Sequence, residues 1–226
     1  MKIEMKNITK VFKEKKVLNG IDFTINSGEV CGLLGVNGAG KSTLMKILFG
    51  QIAPDKGQVL FDGVEKRGQE KIGAMIESPA IYMNLSAFDN LKTKALLYNI
   101  SDEKIREVLQ IIGLAEAGKK KAGKFSFGMK QRMGIGMAIL TNPEFLILDE
   151  PTNGLDPDGI AELLALIHNL KNQGVTLLIS SHQLHEVGKV ADKVVILNEG
   201  KIVYDEANNH TKDLETAFFK VVHGGI

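Results

Sequence analysis

The run Gly35-Val36-Asn37-Gly38-Ala39-Gly40-Lys41-Ser42-Thr43 constrains this chain more than any other stretch of its 226 residues. It follows an apolar run, Val30 to Leu34, and precedes Leu44-Met45-Lys46-Ile47-Leu48, which reads as helix. A G-x-x-x-x-G-K-S sequence between a strand and a helix is the setting of a phosphate-binding loop. Its glycines let the backbone bend until successive N–H groups point into one concave anion nest. The nest opens on a helix start, where unpaired amides and the helix dipole also favour negative charge. Lys41 is then placed to reach the β- and γ-phosphates, and the Ser42 hydroxyl to take one position on Mg²⁺. The chain is expected to bind a nucleoside triphosphate.

The pattern around the loop predicts an α/β fold. Residues 1–30 read as antiparallel β-structure, with Ile21, Phe23 and Ile25 alternating with Asp22, Thr24 and Asn26 before a Ser27-Gly28 turn. Phe12 falls in the loop-like stretch Lys10 to Lys13, either as core or as a face on which a base stacks. Val59-Leu60-Phe61 and Ile72 to Ile76 are further strands, the second closed by Glu77-Ser78-Pro79.

From 84 to 141 the period becomes helical. Ser86 and Ser101 are predicted N-caps, Asp102 and Glu103 favour the second helix start, and Gly113 ends that helix. Lys119 to Lys124 reads as a loop, and a third helix is expected from Phe127 or Gly128 to Asn142-Pro143. Gly134 and Gly136 inside it cost roughly 1 kcal/mol each relative to Ala, which predicts close approach of another backbone there. Phe145 to Leu148 is a strand buried on both faces. A helix carrying Leu163, Leu164, Leu166, Ile167 and Leu170 follows and stops at Gly174; then come strand Val175 to Ile179, a hairpin around Glu199-Gly200 and a last helix, Leu214 to Val222.

Composition removes several classes of function. The net charge of +1 carries no bulk basic field for nucleic acid, and Lys119-Lys120-Lys121 reads as a solvated loop. The single Cys31 lies in an apolar strand, so it reads as core in a reducing compartment. No apolar run reaches the 18 or so residues that cross a bilayer, and the first residues have no signal-peptide core. A cytoplasmic location is expected, peripheral on the inner face of the membrane if another protein carries the chain there.

The chemistry is expected where apolar strands end. Asp149-Glu150 closes the run Phe145 to Leu148 and faces the crevice at which α/β sheets bind ligands. Asp149 is placed to hold Mg²⁺, and Glu150 to polarise the water that attacks a γ-phosphate. Ser180-Ser181-His182 ends the next strand, and His182 can hydrogen-bond the γ-phosphate. Ser126 opens the third helix; taken alone it reads as a simple N-cap, but with the other motifs its hydroxyl and the free amides make a second anion site, pointing toward another subunit's nucleotide.

The phosphate loop, a helical insert ending in an S-x-G-x helix start, then L-I-L-D-E-P-T-N-G-L-D-P and S-S-H together resemble the ATP-binding cassette (ABC) family over nearly the whole chain. The resemblance implies a P-loop NTPase of ABC type, with a RecA-like core, an antiparallel β subdomain and a helical insert. It divides a single domain, 1–226, into core and β subdomain (1–83 and 142–226) and a helical subdomain at 84–141. The ATP-binding set it implies is Phe12 as the base-stacking aromatic, Val17, Gly35, Asn37, Gly38, Ala39, Gly40, Lys41, Ser42 and Thr43. From the signature segment and the loop that crosses the dimer interface come Ser126, Gly128, Met129 and Asp156. Glu150, His182 and Glu77 are the implied catalytic residues, and Ser42, Glu77 and Asp149 the Mg²⁺ ligands.

Two departures mark a branch. The usual signature L-S-G-G-Q reads Phe125-Ser126-Phe127-Gly128-Met129, and Glu77 stands where the family usually has Gln. Both look like the bacitracin-resistance and lantibiotic-immunity branch, which expels peptide antibiotics. The resemblance implies an ATPase subunit that works with an integral membrane permease and a second cassette, most simply its own copy, closing head to tail on two ATP molecules. Glu77 either substitutes for the usual Gln as a metal-facing ligand, with only its geometry mattering, or uses its charge, which is expected to disfavour that closed state unless Mg²⁺ neutralises it. A soluble cassette acting on ribosomes or DNA is the alternative. It usually carries two cassettes or a long insert. A kinase or GTPase fits poorly with Glu150 after Asp149 and with the lack of an N-K-x-D sequence.

Overall fold

The computed structural model describes residues 1–65, 71–182, 184–208 and 214–223. Strand β1 (Ile3–Phe12) pairs antiparallel with β2 (Lys15–Ile25), and β4 (Lys56–Phe61) joins the other side of β1. Ile21, Phe23 and Ile25 are buried and Asp22 is exposed, the alternation expected of a strand with one wet face.

The second sheet runs in the order β5 (Ile72–Met75), β6 (Phe145–Leu148), β7 (Thr176–Ser181), β3 (Val30–Leu34), β8 (Lys193–Asn198), β9 (Lys201–Ala207). Every pairing from β5 to β8 is parallel; β8 and β9 form the antiparallel hairpin. Strands β3, β6 and β7 are buried throughout, as parallel strands covered on both faces must be.

The two-residue period of β6 divides the core. Phe145 and Ile147 pack with β1, β2 and helix α1 (Lys41–Leu48), through Ile3, Phe23, Leu44 and Met45. Leu146 and Leu148 face the other way. They pack with α2 (Ala87–Leu97), α3 (Asp102–Ile111), α4 (Phe127–Ile139) and α5 (Pro157–Asn172) through Leu91, Ile105, Ile135 and Ile167. A smaller cluster joins Leu34, Val194 and Ile196 to α6 (Leu184–Val190) and α7 (Leu214–His223).

Ser86, Ser101 and Ser126 cap α2, α3 and α4 by accepting from the amides of Asp89, Lys104 and Met129. Each cap contributes about 1 kcal/mol. Cys31 is fully buried, and desolvation pushes its thiol far above the usual range, so it is inert core.

Five expectations need correction. Lys10 to Phe12 belong to β1, because they pair with β2 across a tight hairpin. Helix α4 stops at Ile139, and Asn142 takes a left-handed φ of 49° before Pro143. The stretch Lys119 to Lys124 includes a 3₁₀ turn at Ala122–Lys124. The neighbours of Gly134 and Gly136 are side chains. A Cβ on Gly134 would meet Met75 Sδ at 2.7 Å, and one on Gly136 would meet Ile112 Cδ1 at 2.6 Å. The backbone approach occurs on the strand side, where a Cβ on Gly73 would lie 2.4 Å from the Ala138 carbonyl oxygen. Helix α6 is an additional element. No described helix is long and apolar enough to cross a membrane.

Candidate functional site

The parallel strands deliver their loops to one edge of the sheet. At the end of β3, Gly35 passes so close to β8 that a Cβ would lie 2.4 Å from the Leu197 carbonyl oxygen. Gly40 has φ 112°, and a Cβ there would stand 2.9 Å from Leu18 Cδ2. Both positions exclude a side chain, so the loop's shape follows from its glycines. Lys41 opens α1 and is only 6% exposed; its Nζ donates to the Gly35 carbonyl at 2.7 Å and lies 3.3 Å from Glu150 Oε1. The residues lining the resulting cleft, of about 300 Å³, include Val17, Asn37, Gly38, Ser42, Thr43, Asp149 and Glu150.

Asp149, 4% exposed, follows β6; its amide donates to the Met75 carbonyl at 2.9 Å. Ser180 Oγ, at the end of the neighbouring β7, donates to Asp149 Oδ1 at 2.5 Å and accepts from the Glu150 amide at 2.8 Å. One buried hydroxyl therefore orients both acids. Glu150 adopts φ 47°, a left-handed conformation rare outside Gly, Asn and Asp. Its second oxygen, Oε2, lies 2.7 Å from His182 Nδ1. An ionised carboxylate can only accept, so Nδ1 carries the proton in this pair. Glu150 thus joins the phosphate-loop lysine on one side to the strand-end histidine on the other.

The donor set suits a hard cation held largely by its substrate. Ser42 and Asp149 offer hydroxyl and carboxylate oxygens to one cleft, while no cluster of three or more His, Cys, Asp and Glu among the described residues would hold a metal alone. Mg²⁺ characteristically takes one or two protein oxygens and completes its shell with phosphates and water. The residues present fit that ion.

Other expected site residues stand outside the cleft lining. Phe12 is 46% exposed at the end of β1, with Lys10 Nζ 5.4 Å from its ring centroid. Asp55 braces that corner, accepting from the Val11 amide at 2.6 Å and from Lys10 Nζ at 3.0 Å. The Val11 amide first, and Lys10 second, hold its carboxyl below the usual carboxylate range. Exposure and this bracing remove the reading of Phe12 as core.

Glu77, also left-handed at φ 66°, is bonded by Lys46 Nζ from α1. An exposed carboxylate so paired is not the bare charge expected from the sequence; Lys46 offsets it. Ser126 caps its own helix, Gly128 lies against Leu155, and Met129 provides the capped amide. Asp156 caps α5 by accepting from the Gly159 amide at 3.0 Å.

Sequence reasoning missed Ser180 and Lys46. A hydroxyl at the end of an otherwise apolar buried strand is a signal for the first. The second, one lysine on an amphipathic helix, has no local signal.

The chain's relationships agree with this geometry. The family model described as ABC transporter matches residues 18–153. The lantibiotic transport ATP-binding protein SrtF of Streptococcus pyogenes is 42% identical over 96% of this chain and 95% of its own length. The bacitracin transport ATP-binding protein BcrA of Bacillus licheniformis is 43% identical over 93% of this chain and 71% of its own. A solved ATP-binding subunit of an ABC transporter superposes with a TM-score of 0.86 at 27% identity, covering 98% of this chain and 99% of that one.

Proposed function

Because this chain belongs to the ABC transporter family, we propose that its ATP hydrolysis powers expulsion of an antimicrobial peptide, lantibiotic or bacitracin-like, through a separate permease. The fold is that of an ABC-type P-loop NTPase, and the chain is an ATPase subunit coupled to membrane transport. Subunits of this kind dimerise and work with membrane permease subunits. The peptide class rests on the relatives' names and on the two sequence departures, the signature segment Phe125 to Met129 and Glu77. A homodimer at the cytoplasmic face of the membrane, with residues 84–141 as the helical unit that meets the permease, completes the proposal. The transport-named relatives favour it over a ribosome- or DNA-directed ATPase.

The observation that carries the reading is the Lys41–Glu150–His182 chain at the edge of the sheet. In the proposed mechanism the amides of the glycine loop and Lys41 hold the triphosphate, Phe12 stacks on the base with Val17 beside it, and Ser42 and Asp149 would hold Mg²⁺. That ion would supply neutralisation of the triphosphate charge. Glu150 takes a proton from water while the water oxygen bonds to the γ-phosphorus. The bond from that phosphorus to the ADP oxygen breaks, and ADP leaves with the electron pair. His182 keeps Glu150 oriented and stands beside the reacting phosphate. Ser126, Gly128 and Met129 of one subunit meet the γ-phosphate held by the other, with Asp156 at the crossing.

Cells lacking the chain's gene and complemented with wild type or Lys41→Ala test the assignment. Wild type should restore survival in a lantibiotic or in bacitracin, and Lys41→Ala should not. Equal survival of both strains under both peptides would refute the peptide reading.

A further inference from the structure

Phe127 leaves a large ring 52% exposed at the first position of α4, although the helix start is already capped by Ser126. The ring lies over Gly154, in the turn that follows Glu150. A Cβ on Gly154 would stand 3.2 Å from Phe127 Cε1 and 3.6 Å from Cδ1 and Cζ. Gly154 also has φ 76°, so conformation and contact both select glycine there. The approach repeats one residue along each segment, where a Cβ on Gly128 would lie 3.4 Å from Leu155 Cδ2. Leu155 in turn packs on the core shared by α4 and α5.

The turn leads directly to the reacting carboxylate. The Asn153 amide donates to the Glu150 carbonyl at 3.1 Å, and the Leu155 amide to the carbonyl of the buried Thr152 at 3.1 Å. Glu150 is held in its left-handed conformation by this turn on one side and by Ser180, Lys41 and His182 on the other. Such a conformation persists only where its surroundings over-determine it, so the carboxylate's aim depends on the turn. A glycine at 127, as in the usual signature, would leave Gly154 uncovered.

We infer that Phe127 is a positioning residue for Glu150: its ring clamps Gly154 and fixes the 150–155 turn, so that the start of α4 controls the aim of the hydrolytic carboxylate in its own subunit. The inference rests on Glu150 being the base. It adds an intrasubunit link to the contact that the same helix start makes with the partner's nucleotide.

Phe127→Ala removes the ring without placing a further glycine in the helix. In the full-length chain without nucleotide, hydrogen exchange at the Asn153 and Leu155 amides should speed up roughly tenfold. The kcat for ATP should fall roughly tenfold with KM within about twofold, and Phe127→Tyr should restore both readouts. Unchanged exchange overturns the clamp, and faster exchange with unchanged kcat overturns its role in positioning. A raised KM at unchanged kcat overturns it too, by placing the ring against nucleotide, as does failure of Phe127→Tyr to rescue. The underlying reading fails separately: wild-type turnover by Glu150→Gln would remove Glu150 as base, whatever the exchange rates show.

Discussion

The two regions of this chain assigned to ATP are built differently. At the sheet edge, Lys41 and Asp149 are 6% and 4% exposed, and Ser180, Glu150 and His182 complete a bonded network within one subunit. At the start of α4 and the turn behind it, Phe127 is 52% exposed, while Ser126 and Asp156 satisfy the ends of their own helices. Sheet topology pre-organises the first region, because adjacent parallel strands must deliver their ends together. The second is held by local packing alone, with Phe127 over Gly154 and Gly128 against Leu155. In the proposed mechanism the cleft accounts for chemistry, and the helix face for control, both of its own turn and by a second subunit.

The sharpest way to separate the two is to disable the cleft alone. Glu150→Gln removes the base but leaves Lys41, Ser42 and Asp149, so hydrolysis should fall by roughly 10²–10⁴. ATP binding should persist and an ATP-bound dimer should accumulate, measured by turnover and by light scattering. Turnover at the wild-type rate would end the assignment.

The periphery of the cleft should respond less. Phe12→Ala should weaken ATP binding by roughly 1–3 kcal/mol if the ring stacks on the base. The apo melting temperature should barely move, since the ring is 46% exposed. Calorimetry with ATP, set beside a nucleotide-free melt, distinguishes the two; lost apo stability at unchanged affinity would make Phe12 simply structural.

What was legible in the sequence follows the same division. The phosphate loop, the buried run Phe145 to Leu148 and the caps Ser86, Ser101 and Ser126 are local patterns, each with its own chemical cause. They carried both sheets' main strands and most of the cleft. Contacts between distant segments were not legible. Ser180 acts on Asp149 and Glu150 because β6 and β7 are neighbours, which no window of sequence displays. Lys46 reaches Glu77 only after α1 and the end of β5 have packed. The seven residues of helix α6 bury Val187 alone, too short for a period to emerge. The strand pairing of Lys10 to Phe12 is irregular near the hairpin, with register shifts between Ile8 and Val11, so no clean two-residue alternation marks this end of β1.

The smallest expected effect belongs to Glu77. An unpaired charge ~6 Å from a phosphate at an effective dielectric of ~20 would repel it by ~3 kcal/mol. Paired with Lys46 in an exposed setting, it should contribute about 1 kcal/mol or less. On a Glu150→Gln background, Glu77→Gln should then change the lifetime of the ATP-closed dimer by no more than about fivefold. A hundredfold change would restore the bare-charge argument.

In the proposed dimer each ATP site is split, the cleft of one subunit closing on the α4 start of the other. Lys41→Ala disables the cleft, and Gly128→Glu places a carboxylate at the helix start, so each variant alone should be nearly inactive. Mixed in equal amounts they should recover roughly a quarter of wild-type ATP turnover, because half of randomly paired head-to-tail dimers keep one intact site of two. A mixture no more active than its two components would contradict the split site, and with it this account of how the two regions divide the work.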